Sequence, residues 1–189
     1  GPASYILAKN ENPDLSILAV ENNKGTKRFN GIICVAKDSP ITKITDLKGK
    51  RFAFGNSLST IGKFLSQLYL FQHGIKASDL RQYEYLKRHD MVGNAVAIGN
   101  FDAGALKEST FNKLVKGGKQ IRALASFPNV TKPWIAKSAL SKAIRKAITD
   151  ALISLKDPKI LKSLKKDGFL YGSDEDYEII RVAMGKNDK

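Results

Sequence analysis

The densest set of groups able to bind or react is Gly55-Asn56-Ser57-Leu58-Ser59-Thr60-Ile61-Gly62, which follows the strand-like run Arg51-Phe52-Ala53-Phe54. A helix starts where this polar turn ends: Ile61, Phe64, Leu65, Leu68 and Phe71 share one helical face between Thr60 and His73, and Gly74 stops it. Free N–H groups at such a helix start, with the Ser59 and Thr60 hydroxyls, form a neutral cradle for an anion such as phosphate, phosphonate or sulfate, and no lysine is required in it. Ser59 equally fits a plain N-cap. Gly62, inside the first turn, lets something approach the backbone closely.

Two enzyme motifs come near this stretch and miss. The nucleophile elbow G-x-S-x-G would make Ser57 the nucleophile, but Ser59 stands where the second glycine is needed, and both histidines, His73 and His89, lie early in the chain. The P-loop pattern G-x-x-x-x-G-K-[ST] is absent, although Lys63 follows Gly62. The histidines are sixteen positions apart with no H-E-x-x-H or C-x-x-C, so no metal set is expected. His73 suits the cationic end of a helix. His89-Asp90 opens another helix after a strand, where its ring can reach the same crevice as the serine turn or simply cap that helix.

The elements that position these residues alternate. Ser16–Val20, Asn30–Ala36, Arg51–Phe54, Gln82–Leu86, Phe101–Leu106 and Ile121–Ala125 read as strands; helices are expected from Thr60, His89 and Thr110. Residues 51–126 therefore form one complete α/β lobe, a sheet with helices on its faces. Beyond the loop Phe127–Pro133 the chain is expected to be helical, with a helix capped by Ser138 or Ser141, another from Pro158 to Asp167, and a last one behind the capping-box pair Ser173 and Asp176. Residues 1–50 and 127–189 are assigned to a second, discontinuous lobe. Cys34 sits in an apolar run and is expected to be a small buried hydrophobe.

With 189 residues, 42% of them hydrophobic, the chain can bury a core without disulfides or metals. Thirty-two Lys+Arg against 18 Asp+Glu leave a net charge of +14, a field that draws anions. The basic residues are spread over the chain and do not alternate with exposed aromatics, which argues against a nucleic-acid partner. No apolar stretch approaches a membrane-spanning length, so no direct membrane insertion is expected, and no charged and apolar leader opens the chain.

The pattern as a whole resembles the PhnD-like periplasmic phosphate/phosphite/phosphonate-binding proteins of ABC transporters. The resemblance is carried by Gly1-Pro2-Ala3-Ser4-Tyr5, Asp38-Ser39-Pro40-Ile41, Asp46-Leu47-Lys48-Gly49-Lys50-Arg51-Phe52-Ala53-Phe54, Ser59-Thr60-Ile61-Gly62, His89-Asp90, Gly99-Asn100-Phe101-Asp102-Ala103-Gly104, Phe127-Pro128, Pro133-Trp134, Asp157-Pro158 and Asp176-Tyr177, in that order. It implies an α/β, type II periplasmic-binding-protein-like fold of two lobes, each a sheet flanked by helices, that closes on a small oxyanion and passes it to a permease. The family has further strands and helices before the equivalent of Gly1, so the first lobe is expected to be incomplete. The resemblance also implies a binding turn of Ser57, Ser59, Thr60, Ile61 and Gly62, an aromatic contact from Tyr5, a further one from His89, and Glu108 as the acidic partner of a ligand ammonium. Ile61 stands where the family has a third hydroxyl residue, so its share is the backbone N–H. No cofactor is implied, and the location implied is periplasmic or extracytoplasmic. The same fold also serves as the extracytoplasmic sensor domain of membrane receptors, which is the alternative role.

Overall fold

The computed structural model describes residues 1–137 and 139–187. In chain order the elements are α1 (Pro2–Glu11), β1 (Ser16–Glu21), β2 (Arg28–Ala36), β3 (Arg51–Phe54), α2 (Ser66–Gln72), β4 (Gln82–Tyr85), α3 (His89–Ala97) and β5 (Ala103–Lys107). There follow α4 (Glu108–Lys116), β6 (Ile121–Val130), β7 (Pro133–Ala136), α5 (Lys142–Ser154), α6 (Pro158–Leu164), β8 (Phe169–Leu170) and α7 (Glu178–Asn187). The chain divides into two compact units, one of residues 1–29 and 130–181, the other of residues 30–129 and 182–189.

The first unit is built on a three-stranded sheet of order β7-β1-β8, antiparallel throughout. Its interior holds Tyr5, Ile6, Ala19, Val20, Phe169, Tyr177 and Ile180, all buried. Trp134 meets Phe169 edge to face at 4.8 Å between ring centres, and Tyr177 donates from its hydroxyl to the Thr131 carbonyl at 2.9 Å. The second unit carries a five-stranded sheet of order β4-β3-β5-β2-β6, in which β3 runs parallel to β4 and β5, and β2 antiparallel to β5. Ile32, Cys34, Ala53, Leu106 and Ile121 from the strands pack with Val92 and Val96 of α3. Cys34 is fully buried, and that burial pushes its thiol pKa up to about 12, so it behaves as the apolar residue expected.

Several elements depart from the sequence expectation. β2 belongs to the second unit's sheet, paired from Gly31↔Lys107 to Val35↔Ala103, so the assignment of residues 1–50 to the first lobe places it on the wrong side. The stretch after Phe127 is not all helix: β6 runs on to Val130 and β7 starts at Pro133. Both strands lie at sheet edges, where a proline's missing N–H has no ladder partner to disappoint. α6 stops at Leu164, with Lys165 left-handed at φ +55°, three residues before the expected end. Ser141 caps α5, accepting from the Ile144 amide at 3.3 Å; Ser138, the other candidate, lies outside the described residues. The Ser173 and Asp176 capping box is present.

The helix after the serine turn is expected to run regularly from Thr60 to His73. Thr60–Leu65 instead form a π-helical segment that leads into α2. Ser59 causes this locally, since its carbonyl accepts from both the Lys63 amide at 3.0 Å and the Phe64 amide at 3.3 Å. Such widened turns concentrate at functional sites.

Candidate functional site

The turn after β3 is held by its own backbone. Asn56 accepts from the Leu58 amide on Oδ1 at 2.8 Å and from the Ser59 amide on its carbonyl at 2.9 Å. Ser59 Oγ accepts from the Gly62 amide at 3.0 Å, so the N-cap reading is correct. The hydroxyl proton stays available to a guest, because a serine oxygen accepts and donates at once. Of the amides at this helix start, those of Ser57 and Ile61 make no hydrogen bond among the described residues. Gly62 is pressed against Gly55: a Cβ on it would lie 2.8 Å from the Gly55 Cα and 2.9 Å from the Asn56 nitrogen. The close approach that Gly62 permits is thus made by the preceding strand's own backbone, not by a ligand.

Beside this corner is a cavity of about 450 Å³ lined by Asn56, Ser59, Lys87, Arg88, His89, Asp90, Thr110 and Lys113. Among the expected site residues, Ser59 and His89 line it. Thr60, Ile61 and Gly62 are buried behind Ser59, and Ser57 is exposed on the turn without being part of the lining. Glu108 does not line the cavity either; it accepts a long 3.5 Å hydrogen bond from Asn30. Tyr5 belongs to the other unit, is 3% exposed, and donates its hydroxyl proton to Asp174, which also takes two bonds from Arg181 at 2.7 Å.

The expected cradle was neutral, and the structure corrects that: Lys87, Arg88 and Lys113 all face the cavity. The only carboxylate in the lining, Asp90, is engaged by Arg88, whose Nε donates to Oδ1 at 2.9 Å, and this pair holds the Asp90 pKa below its ordinary value. Lys87 is fixed in a left-handed conformation, φ +65°, by a three-residue turn closed from the Arg88 amide to the Leu86 carbonyl at 2.7 Å. A non-glycine residue in that state stores strain of the kind found at binding sites. Thr110 and Lys113 come from one face of α4, three residues apart. Sequence carried only two hints of these groups, the Lys87-Arg88 pair directly before His89 and that i,i+3 spacing.

His89 opens α3 with its Nδ1 buried and unpartnered against Gly55. Burial lowers the imidazole pKa, Lys107 lowers it further, and Asp90 opposes them. The neutral ring pays least for an unpaired Nδ1 as a bare acceptor, which leaves the proton on Nε2. Because its folded-state pKa lies below the unfolded value, His89 supports the fold fully above about pH 6.5, and that support is lost as pH falls towards the depressed value. Urea unfolding at pH 7.5 and pH 5.5 should show the wild type losing more stability than His89→Gln over this interval.

Both units are mixed α/β, and the corner after β3 is basic and hydroxyl-bearing; among the described residues neither Ser57 nor Ser59 is hydrogen-bonded to a histidine, and no group of His, Cys, Asp or Glu is placed to hold a metal ion. Residues 1–177 match the family described as ABC transporter, phosphonate, periplasmic substrate-binding protein, and the chain belongs to that family. A probable ABC transporter phosphite binding protein, PhnD1 of Prochlorococcus marinus (strain MIT 9301), is 26% identical over 168 residues, 82% of this chain and 56% of the relative. A putative aliphatic sulfonates-binding protein of Escherichia coli (strain K12) is 30% identical over 146 residues, 73% of this chain and 44% of the relative. The chain thus spans about half the length of these curated relatives. The solved structure of the Prochlorococcus PhnD1 with methylphosphonate superposes with a TM-score of 0.82 at 22% identity, covering 100% of this chain and 76% of that one, which shows the type II periplasmic-binding-protein fold. No described helix is long and apolar enough to cross a membrane.

Proposed function

We propose that this chain binds a small tetrahedral oxyanion, a phosphonate, phosphite or phosphate, in the periplasm and serves an ABC transporter permease. The observation that supports this is the convergence of the Ser59 hydroxyl, the His89 ring and the Lys87 and Lys113 ammonium groups on one cavity whose single carboxylate is already paired. Each of these groups donates hydrogen bonds, and the one unpaired acceptor among them, His89 Nδ1, is buried against Gly55, so the seat favours a head group with no proton to give. Dianions should therefore outrank monoanions: methylphosphonate and phosphite above methanesulfonate at pH 8.

The role of Ser59 as a cap can be separated from its role as a seat. Ser59→Asp keeps an N-cap acceptor for the Gly62 amide while placing a carboxylate at the anion's position. Calorimetric titration should show methylphosphonate binding lost in Ser59→Asp with the melting temperature held. Ser59→Ala should raise Kd by roughly 10-fold to 100-fold, the worth of one hydrogen bond to a charged group. Unaltered affinity in Ser59→Asp would remove this corner from the binding site.

A further inference from the structure

A second cavity of about 570 Å³ lies in the same unit, next to the edge strand β4. That volume is within the roughly 300–1,000 Å³ of small-molecule sites. Its floor is apolar, formed by Phe54, Leu68, Leu70 and Ile75, each at most 5% exposed. Phe54 stacks on Tyr85 at 5.4 Å and 27° and meets Tyr83 edge-on at 5.7 Å. These rings share one sheet face because β3 and β4 pair in register, Phe54 opposite Tyr85. Tyr85 is also fixed through its hydroxyl, which accepts from Gln67 at 3.1 Å. Tyr83 and Phe71 remain 44% and 43% exposed at the opening.

The rim carries charge of one sign. Lys63 and Lys76 both line the cavity, and no carboxylate does. An apolar floor, part-open aromatic walls and two lysines with no ion pair among the described residues, Lys63 lying over the Phe64 ring at 5.0 Å, suit one chemistry: a flat aromatic body with an attached anion. The geometry points to a second ligand site here for a small aromatic carboxylate, distinct from the oxyanion seat. None of its lining residues is shared with the Ser59 cavity.

The test is calorimetric titration of the 189-residue chain with 2-naphthoate, using 2-naphthalenemethanol as the uncharged match. Saturable naphthoate binding is expected, with the alcohol weaker. Tyr83→Ala and Lys76→Glu alter exposed side chains, so the fold should persist, and each should weaken naphthoate about threefold to tenfold. Methylphosphonate binding should be unchanged in both. Lys113→Glu supplies the opposite control: naphthoate affinity should not move. The proposal is overturned if naphthoate gives no saturable heat, if the alcohol binds as well, if both pocket variants bind like the wild type, or if Lys113→Glu abolishes naphthoate binding, which would place it in the oxyanion seat. These results stand whether or not the chain binds phosphonate.

Discussion

Gly62→Ala is expected to cost the protein both stability and anion affinity. The added methyl would sit 2.8 Å from the Gly55 Cα and 2.9 Å from the Asn56 nitrogen, and both are backbone atoms that no rotamer change can move. Relief requires the helix start to lift off the end of β3, yet the Gly55 amide is tied to the Gly62 carbonyl at 2.8 Å across that contact. Overpacking of this kind costs about 1–3 kcal/mol, and more where only backbone can yield. For a chain of this size each kcal/mol lowers Tm by roughly 2–4 °C. Gly185→Ala is the matched contrast, because that glycine lies within α7 with nothing within 4 Å of its Cβ position. Helix propensity then makes the same chemical change neutral or stabilising by up to about 1 kcal/mol. Thermal unfolding of the two variants should move in opposite directions, and only Gly62→Ala should weaken methylphosphonate, since Asn56 and Ser59 ride on the displaced segment.

The glycine pair also shows which parts of the site sequence could disclose. A strand, a hydroxyl-rich turn and a helix at residues 51–73 are legible because apolar period and turn chemistry are local properties. What Gly62 touches is not local: it depends on Gly55 returning beneath the helix. The Lys87 turn is hidden for a related reason, because φ +65° at a lysine contradicts its intrinsic preference and persists only under tertiary restraint. The strands β7 and β8 have four and two residues, too few to show a period, and Pro133 reads as a breaker unless an edge position is known. The place of His89 at a helix start after a strand is legible in the sequence. The cations near it are not, because Lys87, Lys107 and Lys113 are three among 32 basic residues until the fold brings them close to His89.

That gathering of charge sets up the second large effect. In Lys87→Glu with Lys113→Glu, two lysines of the proposed anion seat become two repelling carboxylates, while side-chain length is nearly preserved. Each hydrogen bond to a charged group is worth about 1.5–3 kcal/mol, so the pair alone accounts for a rise in Kd on the order of 100-fold or more. The fold should not suffer. Lys87, Arg88 and Lys113 line one cavity with Asp90 as its single carboxylate, and reversing two of these charges lowers the excess of like charge there. The double variant is therefore expected to melt at or above the wild-type temperature without anion, and to gain nothing from added methylphosphonate, whereas the wild type is stabilised by its ligand. Its His89 resonances should titrate at higher pH than in the wild type, because the nearest new charges favour the imidazolium. A variant that still binds methylphosphonate within about threefold of the wild type, at low ionic strength where screening is weakest, would show that these lysines are solvent-facing charge and that the anion is held elsewhere.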